Sequence, residues 1–112
     1  MSAGSANLLI ERDTDFIKSF LVRDKTTKVP TSLVNCLIDF KVAAKQGGPE
    51  VFSIPTEIDA TPTTGIFKAV LLKSEIDLIT LKEGWFVINM TWSNGTTERL
   101  VEGRVVISKG VQ

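Results

Sequence analysis

The sequence contains no histidine and no tyrosine, one cysteine, and no excess of either charge. The missing histidine removes the commonest general base and the commonest metal-binding side chain together. Without tyrosine, a contact surface loses one of its usual anchors. A single cysteine, Cys36, rules out an intramolecular disulfide, so a packed core must hold the fold, which suits a cytosolic or assembled-particle protein. Thirteen basic residues balance thirteen acidic ones, and Lys and Arg are scattered among acids rather than gathered in a stripe. Nucleic-acid binding draws on clustered positive charge to displace counterions from phosphates, so no nucleic-acid partner is expected. No apolar run approaches the ~20 residues that span a bilayer, and no membrane partner is expected either. The leader Met1-Ser2-Ala3-Gly4-Ser5 carries neither a basic nor an apolar segment and does not read as a signal peptide.

What is present is a chain of 112 residues, 43% of them apolar. One domain is the natural expectation, and a chain this long buries roughly 65% of its unfolded surface. Short apolar runs alternate with turn chemistry. Leu8-Leu9-Ile10 reads as a first strand after a flexible arm, residues 1–7. Phe16 to Val22 is a second, with Phe16, Phe20 and Val22 inward, although Lys18 shares their face. A slip to Ile17 and Leu21 would reverse every side chain. Asp24 to Lys28 is a polar turn, and Val29-Pro30-Thr31-Ser32-Leu33 an irregular edge segment, because proline cannot donate to a ladder. Cys36, Ile38, Phe40 and Val42 alternate with Asp39 and Lys41, which predicts a half-buried strand.

Gln46-Gly47-Gly48-Pro49 is a turn by composition, Val51 to Ile54 a short strand, and Pro55 to Thr64 a connection. Gly65 opens a strand from Ile66 to Leu71, with Phe67, Ala69 and Leu71 on one face. Ser74 to Ile79 has helical character, with Ser74 as its cap and Lys82-Glu83-Gly84 after it. Trp85 to Trp92 is the strongest strand, with Phe86, Ile88, Met90 and Trp92 on one face. Asn94-Gly95 predicts a type I′ hairpin into Thr97 to Ser108, where Gly103 marks a bulge or kink. Seven or so strands at this spacing, with one short helical turn, predict an all-β, immunoglobulin-like β-sandwich over residues 8–109, with a tail at 110–112.

Candidate chemistry is thin. Cys36 has no histidine to activate it and lies on an apolar face, which reads as a core thiol. Glu57 with Asp59, and Glu75 with Asp77, are neighbours in polar segments rather than carboxylates across a cleft. Glu11, Asp13 and Asp15 offer oxygen ligands without an EF-hand spacing. Asn89 and Asn94 head sequons that a strand and a turn account for. No phosphate loop, zinc spacing or catalytic triad can be assembled, so no catalytic residue, metal or other cofactor is expected. Trp92 shares the core face, whereas Trp85 has the opposite parity and is the candidate surface contact. A solvent-facing Trp85 flanked by polar groups in a concavity would point to sugar, and an apolar patch rimmed by charge to a subunit interface.

The order of the elements resembles the small immunoglobulin-like domains of bacteriophage tail and baseplate proteins, above all the N-terminal domain of phage upper baseplate proteins. The resemblance runs from Leu8-Leu9-Ile10 and Asp13-Thr14-Asp15-Phe16, through Phe20-Leu21-Val22-Arg23-Asp24 and Val29 to Leu33, to Ile38-Asp39-Phe40-Lys41-Val42. It continues through Gly65 to Glu75, Gly84 to Asn89 with Asn94-Gly95, and Leu100 to Ile107. Asn89 stands where many relatives have Asp, and many relatives continue into a coiled coil or fibre. The resemblance implies a non-enzymatic virion protein of the tail, baseplate or fibre-attachment region, made in the host cytoplasm. Its partners would be other phage structural proteins and further copies of itself, docked through edge strands, loops and the N-terminal arm. The alternatives are a decoration protein of capsid or neck, and a carbohydrate or host-surface binding module.

Overall fold

A computed structural model of the chain describes residues 4–12, 14–23 and 26–108. The polar turn expected at Asp24 to Lys28 lies partly outside them, and the tail at 110–112 wholly so. Nine strands and one short helix follow in order among the described residues: β1 (Gly4–Ser5), β2 (Leu8–Glu11), β3 (Phe16–Leu21), β4 (Leu37–Ala43), β5 (Glu50–Ser53), β6 (Thr56–Ile58), β7 (Ile66–Leu71), α1 (Lys73–Ile76), β8 (Glu83–Thr91) and β9 (Thr97–Ser108). They form two sheets. The larger has the order β1-β9-β8-β4-β5, with β2 also on β9; the smaller is β3-β7-β6. All pairings are antiparallel except those of β1 and β2, which run parallel to β9.

Alternation drives this arrangement. On β7 Phe67, Ala69 and Leu71 are buried, on β4 Phe40 and Val42, and on β8 Phe86, Ile88 and Met90, each separated by more exposed residues. These faces meet in one cluster that both sheets share. Phe20 of the smaller sheet stacks on Phe67 at 5.1 Å and meets the edge of Phe40 across the gap at 6.1 Å. Phe40 in turn packs on Phe86. Each such ring removed from water contributes about 1.5–3 kcal/mol. No polar or charged residue among those described is buried in this core.

The register of β3 is continuous from Phe16 opposite Leu71 to Leu21 opposite Ile66. Phe16, Phe20 and Val22 pack on the core, while Lys18 on the same face stays exposed. Neither a bulge nor a slip is needed, because a lysine stem can run along apolar surface with its ammonium in water.

Several local expectations need correction. The residues read as an arm include β1, whose Gly4 and Ser5 pair with Val101 and Glu102. Gly103 is not the bulge. The register shift lies opposite Ile88 and Asn89, where β9 accommodates Leu100 as an extra residue. Gly103 is where the N-terminal segment crosses: a Cβ there would clash with the Ala6 carbonyl oxygen. The β8–β9 hairpin is a three-residue loop, not a type I′ turn. Gly95 N–H donates to the Trp92 carbonyl at 2.9 Å, only Gly95 has positive φ (91°), and Asn94 Oδ1 accepts from Thr96 N–H. Ser74 does not cap α1. The Asp15 carboxylate accepts from Lys73 N–H at 2.8 Å and Glu75 from Leu72 N–H at 3.4 Å. Glu83 and Gly84, expected after the helix, begin β8, and the connection from Pro55 to Thr64 contains β6 and a 3-10 turn, Pro62–Thr64.

Candidate functional site

The two long sides of the sheet pair differ. At the β5–β6 side the chain passes from one sheet to the other and ties them: Ile54 N–H donates to the Phe40 carbonyl at 2.9 Å, and Thr56 Oγ1 to the Ile38 carbonyl at 3.0 Å. At the opposite side, β2 and β3 are joined by the turn around Arg12 but belong to different sheets, and a groove of about 400 Å3 opens between β3 and the strands on β9. Phe20, Leu21, Ala6, Leu100 and Val101 line it, with Lys18 at its rim.

Above this groove β3 is an open edge. Among the described residues β3 pairs with β7 alone. Val22 N–H donates to the Gly65 carbonyl at 2.7 Å, which fixes the phase of the ladder. Antiparallel pairs alternate, so Phe16, Lys18 and Phe20 turn their backbone groups toward β7. Those of Ile17, Ser19 and Leu21 point away from the sheet. Their side chains form, with Ile66, the outer face of the smaller sheet. Ile17 is 63% exposed, Leu21 52% and Ile66 38%. The salt bridge of Lys68 with Glu57 at 3.8 Å lies on the same face. Apolar side chains at both parities of Phe-Ile-Lys-Ser-Phe-Leu made the register ambiguous from sequence. That ambiguity is itself the sign of an apolar outer face, which sequence reasoning did not single out as a site.

Trp85 lies on the outer face of the larger sheet, between Ala43 on β4 and Arg104 on β9. It is partly buried beside a shallow cleft of about 390 Å3 whose flanks carry Lys41, Gln46, Glu50, Asn89 and Arg99. Val42, Ala43 and Val87 line the same cleft, so its walls are mixed polar and apolar, and Trp85 is not fully solvent-facing. Trp92 faces inward against the core, and its indole N–H donates to Glu98 at 3.1 Å.

The remaining candidates have structural occupations. Cys36 is buried, and its thiol donates to the Val34 carbonyl at 3.7 Å. Asp59 accepts from Thr61 N–H and Thr64 Oγ1, holding the 3-10 turn, while Glu57 pairs with Lys68. Asp77 pairs with Lys73 at 3.0 Å. Of the oxygen ligands around the first turn, Asp15 caps α1 and Asp13 lies outside the described residues. No three His, Cys, Asp or Glu gather at metal-binding distance among the described residues.

Arg12 was not marked by sequence reasoning. Its guanidinium donates to the carbonyls of Ile76 at 3.0 Å, Ile79 at 2.6 Å and Leu81 at 3.4 Å, tying the β2–β3 turn to the end of α1. No protein-family model matches the chain, and no curated protein is significantly similar to it.

Proposed function

We propose that this chain is an immunoglobulin-like structural module of a bacteriophage virion, in the tail, baseplate or fibre-attachment region, working by protein contact rather than by chemistry. Strand order supports the immunoglobulin-like part. The order β3-β7-β6 opposite β9-β8-β4-β5 is the one in which an immunoglobulin domain sets its B-E-D strands against G-F-C-C′. The B–F disulfide of antibody domains is missing, since neither β3 nor β8 has a cysteine, and Phe40 on β4, the strand that carries the core Trp in those domains, packs between Phe20 of β3 and Phe86 of β8. The virion part rests on the succession of motifs from Leu8 to Ile107.

One observation carries the contact reading: β3 is a six-residue edge whose outward backbone groups have no partner among the described residues, and Ile17 and Leu21 stand exposed on its outer face. Exposed edges of this kind accept further strands. The test is mass spectrometry and cross-linking of purified particles. The chain is expected in stoichiometric amount, cross-linked to tail or baseplate subunits. Cross-links to capsid or neck would make it a decoration protein, and absence from every particle fraction would overturn the reading.

A second reading has its own observation. The cleft beside Trp85, part polar and part apolar, suits a saccharide stacked on the indole. Titration with oligosaccharides followed by tryptophan fluorescence tests it, and Trp85→Ala should abolish any response.

A further inference from the structure

We infer that the β3 edge pairs with the β3 edge of a second copy of this chain, across a two-fold axis at Ser19. The inference rests on the contact reading above and names the partner. In an antiparallel pair of identical strands, opposed residues share a face, so the two residue numbers must sum to an even value. Three registers overlap well. Centring on Lys18 sets two ammonium groups against each other, which is unfavourable for directly opposed side chains. Centring on Phe20 draws in Arg23, which is already bridged to Pro30. Centring on Ser19 opposes Ile17 to Leu21, Lys18 to Phe20 and Phe16 to Val22, and it spans the whole strand.

The Ser19-centred register also uses the backbone groups that are free. Ile17, Ser19 and Leu21 are the residues whose N–H and C=O point away from β7. In this register they face Leu21, Ser19 and Ile17 of the second copy. On the outer face the exposed Ile17 and Leu21 cover one another, continuing the apolar strip that Ile66 begins. On the inner face Phe20 of the second copy is carried over the groove lined by Leu100 and Val101. A lysine facing inward on an edge strand ordinarily discourages pairing. Here Lys18 meets the ring of Phe20, a contact that a cation tolerates well. The interface is isologous, so it closes at two copies and does not propagate into fibres.

Sedimentation equilibrium of the full chain should give a reversible dimer. Substituting both outer positions with one sign, Ile17→Lys with Leu21→Lys, should leave a monomer. Ile17→Lys with Leu21→Glu sets opposite charges across the axis. That variant should dimerise, and more weakly as salt rises. Ser19→Pro removes one bond in each direction at a position whose N–H the fold does not use, and should weaken association by about tenfold or more. A maleimide pair of short span should join two Ser19→Cys chains and fail to join two Ser93→Cys chains; Cys36 is buried and does not interfere. A monomeric native chain, equal association of the two charge variants, or an opposite-charge variant that stays monomeric would overturn the pairing. A native monomer that is nonetheless found in the particle refutes the pairing alone. A dimer absent from every particle refutes the virion reading and leaves the pairing.

Discussion

At the scale of single residues, two positions matter more than their sequence context suggests. Arg12 reaches 64 to 69 residues along the chain to three backbone carbonyls. Those carbonyls belong to the end of α1 and the segment after it, and the Ile76 carbonyl also accepts from Ile79 N–H at 3.0 Å. Charge-assisted hydrogen bonds of this kind contribute about 1.5–3 kcal/mol, so Arg12→Ala should lower stability by that amount in urea denaturation. Arg12→Lys should recover only part, because an ammonium cannot span the three acceptors as a planar fork does. Gly103 is the second. Its Cα lies under the Ala6 carbonyl, and any side chain there must displace the N-terminal segment. Gly103→Ala should cost about 1–3 kcal/mol and free the Ala6 amide, which now donates to the Glu102 carbonyl at 3.1 Å, to exchange with solvent. Neither role was legible in the sequence. Arg12 sits in a polar turn like any solvated arginine, and a glycine in a strand signals a bulge and a close approach equally well.

At the scale of elements, strands with strict alternation were readable, and segments set by capping or crossing were not. β4, β7 and β8 appear where Cys36 to Val42, Ile66 to Leu71 and Trp85 to Trp92 alternate, since one face of each had to be buried. β6 was missed because Thr56–Ile58 is three residues long and lies among prolines and threonines. The helix was found but its cap was misassigned, because the acceptor, Asp15, comes from 58 residues away. The hairpin was found at Asn94-Gly95, with its loop one residue longer than expected. Trp92 N–H bonds to the Thr96 carbonyl at 2.7 Å, which leaves three residues outside the ladder. This loop asks positive φ of Gly95 alone. Gly95→Ala should therefore cost roughly 1–2 kcal/mol in thermal unfolding, since the left-handed region strains any residue with a Cβ. Asn94→Ala should cost only about 0.5–1.5 kcal/mol, the worth of its single bond to Thr96 N–H. A type I′ turn would make both positions sensitive.

At the scale of the whole molecule, the sheets are tied together on one side and parted on the other. Ile54 and Thr56 close the β5–β6 side through bonds to β4, while β1 and β2 both go to β9 and, among the described residues, leave β3 without a partner on the side away from β7. This asymmetry could not be read from the sequence. It depends on which sheet the first strands join, and Leu8-Leu9-Ile10 is as apolar as either choice requires. The outer face of β3 and the cleft by Trp85 lie on different sheets, although Arg99 of β9 lines both that cleft and the groove beneath β3. The central claim is that the chain works through the β3 edge, and amide hydrogen exchange tests it most directly. In the dilute free chain the amides of Ile17, Ser19 and Leu21 should exchange rapidly while those of Lys18 and Phe20, bonded to β7, exchange slowly. In the assembled particle all five should be slow. Exchange at Ile17, Ser19 and Leu21 that stays rapid after assembly, with new protection around Trp85 instead, would contradict the account.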